Sequence, residues 1–212
     1  MWQRCQSNPT MTVSMPSRRG RPLRWGLTAC WVLALGTAVT TEPLKPPPVQ
    51  SRGPAVAYAS THEVVIEAML DLAQVTRDDV VYDLGCGDGR IVIEAAQRYG
   101  SRGVGIDYDP ERFAEANAAA QRRGLQDLVT FRQEDALTAD VSDATVVMLY
   151  LLTSSNRKLR PMLTRQLRPG ARIVSHAFRM GDWEPDETRS FEDQRGNTRT
   201  IHLWRTDGTM RP

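Results

Sequence analysis

The period of apolar positions changes repeatedly along the chain after residue 57. Over "STHEVVIEAMLDLAQV" (60–75), Val64, Val65, Ala68, Met69 and Leu72 recur at helical spacing, and Ser60 with Glu63 has the spacing of a capping box. "DVVYDLG" (79–85) is a short unbroken apolar run, the pattern of a strand buried on both faces. From Gly89 to Tyr99 the helical period returns, with Gly100 as its stop. "GVGID" (103–107) reads as a second strand, and Asp109 with Pro110 opens a helix that Gly124 ends. "LVTFRQ" (128–133) and "ATVVMLYL" (144–151) read as strands three and four. "SSNRKLRPMLTRQLRPG" (154–170) predicts a helix that is bent at Pro161 or starts late there. "ARIVSHAF" (171–178) is a fifth strand, and two strand-like runs near 187–193 and 198–205 flank "RGN", a hairpin signal.

Such alternation predicts an α/β, Rossmann-like fold. Its mainly parallel seven-stranded sheet carries helices on both faces and closes with a C-terminal antiparallel hairpin, which implies an antiparallel edge strand.

The first residues follow another pattern. "SRRGRPLR" (17–24) is cationic, "WGLTACWVLALGTAV" (25–39) is apolar, and "GTA" (36–38) offers the small residues a signal peptidase reads. The expected division is a signal peptide or signal-anchor over 1–39, a Pro-rich linker over 40–56 and a catalytic domain over 57–212. The apolar run is short for a span, which needs about 20 residues, so cleavage and anchoring both stand. Export to the periplasm or membrane anchoring follows, with membrane contact through residues 25–39 if uncleaved, and a cytoplasm-facing domain as the alternative.

Charge is divided the same way. The formal net charge is +2, but residues 57–212 hold 20 basic against 24 acidic residues, a net of −4. A nucleic-acid partner needs positive charge on the folded surface, so none is expected. Of the three cysteines, Cys5 and Cys30 fall in the leader, and Cys86 reads as a buried spacer. His62, His176 and His202 have no ligand spacing, and no metal is expected.

The candidate chemistry lies in "DLGCGDG" (83–89). Gly85, Gly87 and Gly89 let the backbone approach a ligand closely, but a dinucleotide fingerprint wants glycine where Arg90 stands. That weighs against a nicotinamide-dependent oxidoreductase. Asp83 and Asp88 would repel a pyrophosphate. S-adenosyl-L-methionine carries an ammonium and a sulfonium and no phosphate. Asp83 can stabilise that positive end. Asp107, at the end of the second strand, can accept both ribose hydroxyls, and Asp135 the adenine amino group. Asp88 has a second reading, as the cap of the following helix.

"DLGCGDG", "GID" and "EDA", at these intervals, resemble motifs one to three of class I S-adenosylmethionine-dependent methyltransferases. The resemblance covers about residues 57–205. "DLGCGDGRIVIEAA", "YLLTSSNRKLRPML" and "VSHAFRMGDW" resemble, more narrowly, bacterial relatives of the ATP synthase c-subunit lysine methyltransferases. The resemblance implies cofactor contact at Asp83, Gly85, Gly87, Gly89, Asp107 and Asp135, and an acceptor pocket under "LYLLTSSN" (149–156). The implied acceptor is a protein lysine, with a membrane-associated protein as one option. "LYLLT" lacks the prolines of an exocyclic-amine box, which counts against a nucleobase acceptor. Tyr150 is the first candidate for orienting the amine and Asn156 the second. Trp183 reads either as a lid or as a loop anchor. The alternative function is an exported or tethered domain that methylates a small molecule or only binds a nucleoside-like ligand.

Overall fold

The structure is a computed structural model and describes residues 61–212. The expected signal or anchor, the linker and Ser60 lie outside the described residues. Among the described residues no helix is long and apolar enough to cross a membrane.

The chain runs α1 (Glu63–Leu72), β1 (Val80–Leu84), α2 (Arg90–Tyr99), β2 (Arg102–Asp107), α3 (Pro110–Arg122) and β3 (Val129–Gln133). It continues with β4 (Val146–Leu149), α4 (Thr153–Gln166), β5 (Arg172–His176), β6 (Glu187–Glu192) and β7 (Thr198–Arg205). Seven strands form one sheet in the order β3-β2-β1-β4-β5-β7-β6. The first five are parallel, and β7 is antiparallel to both β5 and β6. The closing hairpin therefore inserts its second strand inside the sheet and leaves β6 at the edge.

Strand pleat sorts the core into two layers. Val81, Val146, Met148 and Val174 face a cluster built with α1, α2 and α3. Val80, Tyr82, Leu84, Val147 and Ile173 face the other cluster, with Leu159 and Leu163 of α4 and the fully buried Trp204. Both faces are covered, which is why β1 is buried along its whole length.

Local signals hold at most element ends. Asp109 accepts from the Glu111 amide at 2.9 Å and caps α3, and Gly100 ends α2 at φ 69°. Two expectations change. The first residue before α1 is His62, with no side-chain cap, in place of the expected box. Helix α4 starts at Thr153 and runs through Pro161, so it does not start late. The strand order reverses between β1 and β4, where the chain leaves in opposite directions across the sheet. A crevice opens beyond the strand ends at such a point, and it brings the turn after β1 beside the segment after β4.

Candidate active site

The turn after β1 is shaped by what lies beneath it. The amides of Gly85 and Cys86 both donate to the Ile106 carbonyl, at 2.8 and 3.0 Å, tying the turn to the end of β2. Gly89 has φ +76°, and a Cβ there would stand 2.4 Å from the Phe131 ring. A Cβ on Gly105 would meet the same ring at 2.5 Å and the Cys86 sulfur at 2.8 Å. Phe131 and Cys86 thus fill the space under the turn, and only glycine fits above them. Burial, then Asp83 and Asp107, push the Cys86 thiol far up, so it is packing and no nucleophile.

Four acids surround the turn in different states. Asp83 is 3% exposed and has no hydrogen-bond or ion-pair partner among the described residues. Burial, then Asp107 and then Asp88, push its carboxyl up to about 8. It is a neutral acid at neutral pH, held where a cation would convert it to a carboxylate. Asp107 uses one oxygen to accept from the Gly87 amide at 2.9 Å and the other from the Asp109 amide at 3.0 Å. Each oxygen keeps a second lone pair for a ligand hydroxyl. Asp135 is exposed and accepts from the Leu137 amide at 2.9 Å. Asp88 pairs with Arg90 at 2.6 Å, and Arg90 also donates to the Thr61 carbonyl at 3.0 Å.

Asp83, Gly85, Asp107, Asp135 and Tyr150 line one cavity of about 500 Å³. Gly87, Asp88, Gly89 and Asn156 do not line it. Gly87 donates its amide to Asp107, Gly89 packs on the Phe131 ring, Asp88 is held by its own Arg90, and Arg90 stands at the cavity in its place. Tyr108, Leu137 and Leu152 also line the cavity although they are 73%, 42% and 44% exposed. Large apolar side chains left open around one cleft mark a ligand surface. Tyr108 and Leu137 follow closely on Asp107 and Asp135, so exposed apolar surface stands near both carboxylates in the same cavity. Sequence reasoning passed over both; their place just after each strand-end acid was the available signal. A wider depression of about 850 Å³ over α1 and α2 is floored by ion-paired Glu94 and Arg98.

The other end of the cleft is aromatic. Tyr150 stacks on His176 with centroids 4.2 Å apart, and Phe178 stands 6.2 Å from Tyr150. Burial, then Arg199 and His62, hold His176 down at about 4, so the ring behind Tyr150 is neutral. Behind this wall Asn156 is fully buried and donates to the Ser175 hydroxyl at 3.2 Å and the Phe178 carbonyl at 3.1 Å. Ser175 donates to the same carbonyl at 2.6 Å, across Ala177 at φ 64°, a left-handed conformation unusual for alanine. Asn156 therefore fixes the corner that delivers Phe178 to the cleft, and its side chain does not reach the ligand space. Trp183 is an anchor: its carbonyl accepts from the Trp204 indole at 2.9 Å, Arg211 covers its ring, and it does not line the cleft.

We expect Asn156→Ala to cost about 2 kcal/mol, because it strips buried partners from a strained corner. It should raise KM for the methyl acceptor several-fold while leaving S-adenosylmethionine affinity within about twofold of the parent, since a buried hydrogen-bond loss acts locally. Chemical denaturation and binding calorimetry on the same protein separate the two effects.

A doubly wound sheet whose switch-point cleft holds an unpartnered buried acid and a strand-end carboxylate fits a class I S-adenosylmethionine-dependent methyltransferase. Residues 83–187 match the ANTKMT methyltransferase domain. The chain is 41% identical over 152 residues to a protein-lysine N-methyltransferase of Saccharolobus islandicus, covering 71% of this chain and 94% of that one. It is 28% identical to the ATP synthase c-subunit lysine N-methyltransferase of Xenopus laevis, covering 86% and 81%. Among solved structures, an RNA methyltransferase from Salinibacter ruber in complex with S-adenosyl-L-homocysteine superposes with a TM-score of 0.67. That protein is 50% identical, with 72% of this chain and 97% of that one covered. The chain belongs to this methyltransferase family, the one that includes the protein-lysine N-methyltransferases.

Proposed function

We propose that the chain moves the methyl group of S-adenosylmethionine to a lysine amine of a protein. The single observation that carries the acceptor is the match to a lysine methyltransferase over nearly that relative's whole length. The residues of the cleft fit the donor, because Asp83 is a buried acid lacking a cationic partner. Asp83 would hold the positive end, Asp107 the ribose hydroxyls and Asp135 the adenine amino group, with Tyr108 and Leu137 against the ring faces. Bound there, S-adenosylmethionine supplies a methyl group activated by its sulfonium.

The chain's own part is to desolvate and aim the amine. Tyr150 and Phe178 offer aromatic faces to an alkylammonium stem. Neutral His176 behind Tyr150 adds no charge to repel it. Among the described residues no carboxylate or imidazole at this end of the cleft serves as a dedicated base, so the amine loses its proton to water and attacks as the neutral form. The −4 balance of residues 57–212 supports a protein over an RNA acceptor. For the N-terminus, the cationic and apolar runs over 17–39 support export or anchoring by sequence pattern, and they favour an acceptor at a membrane.

Incubating the full chain with tritiated S-adenosylmethionine and cellular membrane and soluble fractions tests this reading. Protease-sensitive label recovered as methyl-lysine is the expected result. Label that is sensitive to ribonuclease, or that partitions with lipid or small molecules, would refute the lysine assignment.

A further inference from the structure

The basic residues of this chain are almost all arginine. Of 27 lysines and arginines, only Lys45 and Lys158 are lysine. Lys158 is thus the only lysine among the described residues, and it lines the cleft. It sits on α4 three residues after Ser155, and both side chains meet the cavity, because residues at that spacing share a helix face. Tyr150 and Leu152, in the segment that leads into α4, and Leu159, next to it on α4, line the same cavity.

Nearby arginines are engaged. Arg160 pairs with Asp182 at 2.5 Å, and Arg157 packs its stem over Gly181. Lys158 is exposed and has no hydrogen bond or ion pair among the described residues. An unpaired ammonium on a long flexible stem samples the cavity mouth freely. Loss of one proton to water leaves a primary amine facing the donor's space, which is the functional group of the proposed substrate.

We propose that Lys158 is itself a methyl acceptor, modified within its own cleft. The inference rests on the lysine reading given above. The Lys158 Nζ lone pair forms the new N–C bond, the S–CH3 bond breaks, and its electron pair stays on sulfur to give neutral S-adenosylhomocysteine. The product is a methylammonium at the mouth of the cleft, bulkier and more apolar than before. It stands where an external lysine must enter, so the modification tunes access of the acceptor to the site.

The untagged full chain is isolated from cells and the peptide bearing Lys158 is weighed, before and after incubation with S-adenosylmethionine. The expected result is added mass equal to one or more methyl groups on Lys158, none on Lys45, and none in Asp107→Ala. Because the reaction is intramolecular, its rate per chain is independent of protein concentration. In a mixture of Asp107→Ala with an active Lys158→Arg chain, Lys158 of the first stays unmodified. A second readout needs no turnover: S-adenosylhomocysteine slows acetylation of Lys158 by a small acylating reagent several-fold and leaves Lys45 unaffected. Unmodified Lys158 in a preparation that methylates other proteins overturns the self-methylation and leaves the lysine reading standing. A preparation that labels neither overturns both. Label on Lys158 that rises with protein concentration overturns the intramolecular route.

Discussion

Asp107→Ala is expected to lower S-adenosylmethionine affinity by at least a hundredfold. Two losses combine. The Gly87 amide loses its acceptor at 2.9 Å and the Asp109 amide its acceptor at 3.0 Å, so the glycine turn is no longer tied to the end of β2 on that side. The donor's ribose loses both hydroxyl acceptors at the same time. Hydrogen bonds to a charged group contribute about 1.5–3 kcal/mol each, and about 2.7 kcal/mol is a hundredfold in affinity. Fold stability falls as well, by about 1–3 kcal/mol, because the Gly87 and Asp109 amides lose their acceptor. Titration calorimetry and thermal unfolding on the same variant check both halves. Near-parental affinity would show that the cleft does not hold ribose at Asp107.

Asp83→Asn is expected to move stability and binding in opposite directions. The folded-state carboxyl is raised to about 8 by burial, then by Asp107 and Asp88, against an ordinary value of 3.8. Between those values the folded state holds a proton that the unfolded chain has lost, so the stability of the ligand-free protein falls as pH rises through this window. Asparagine removes that penalty. The variant should gain on the order of 5 kcal/mol over the parent above about pH 8, and the gain should vanish in acid below the unfolded value. It should also lose about a hundredfold in S-adenosylmethionine affinity, since the donor's cation then meets no opposite charge in a buried site. Denaturant midpoints across the pH range, with and without ligand, read both. A variant that is less stable at alkaline pH, or that binds as well as the parent, contradicts the role given to Asp83.

Much of this was legible in the sequence for identifiable reasons. The unbroken apolar run at 80–84 signals a strand covered on both faces, and β1 is covered by two separate core layers. Glycines at 85, 87 and 89 signal left-handed backbone, and all three adopt it. The acids at 83, 107 and 135 lie at strand ends, where topology gathers them at one cleft. What the sequence hid depends on side-chain competition. Asp88 pairs with a guanidinium two residues away, a local contact that spacing alone does not separate from ligand contact. Asn156 looked available for chemistry, but the left-handed corner at Ala177 claims its amide. Pro161 suggested a bend or a late helix start; the late start is excluded, since the helix begins eight residues earlier, with Leu159, Met162 and Leu163 buried along one continuous face. Tertiary packing outweighs the proline there.

The most direct measurement is titration of the full chain with S-adenosylmethionine in buffers of different ionisation enthalpy near pH 7. The expected result is one donor bound per chain with release of close to one proton, because Asp83 must ionise to receive the cation. The affinity should fall about tenfold for each pH unit below pH 7. Absence of binding, or binding with no proton released, would contradict a cation site built on Asp83.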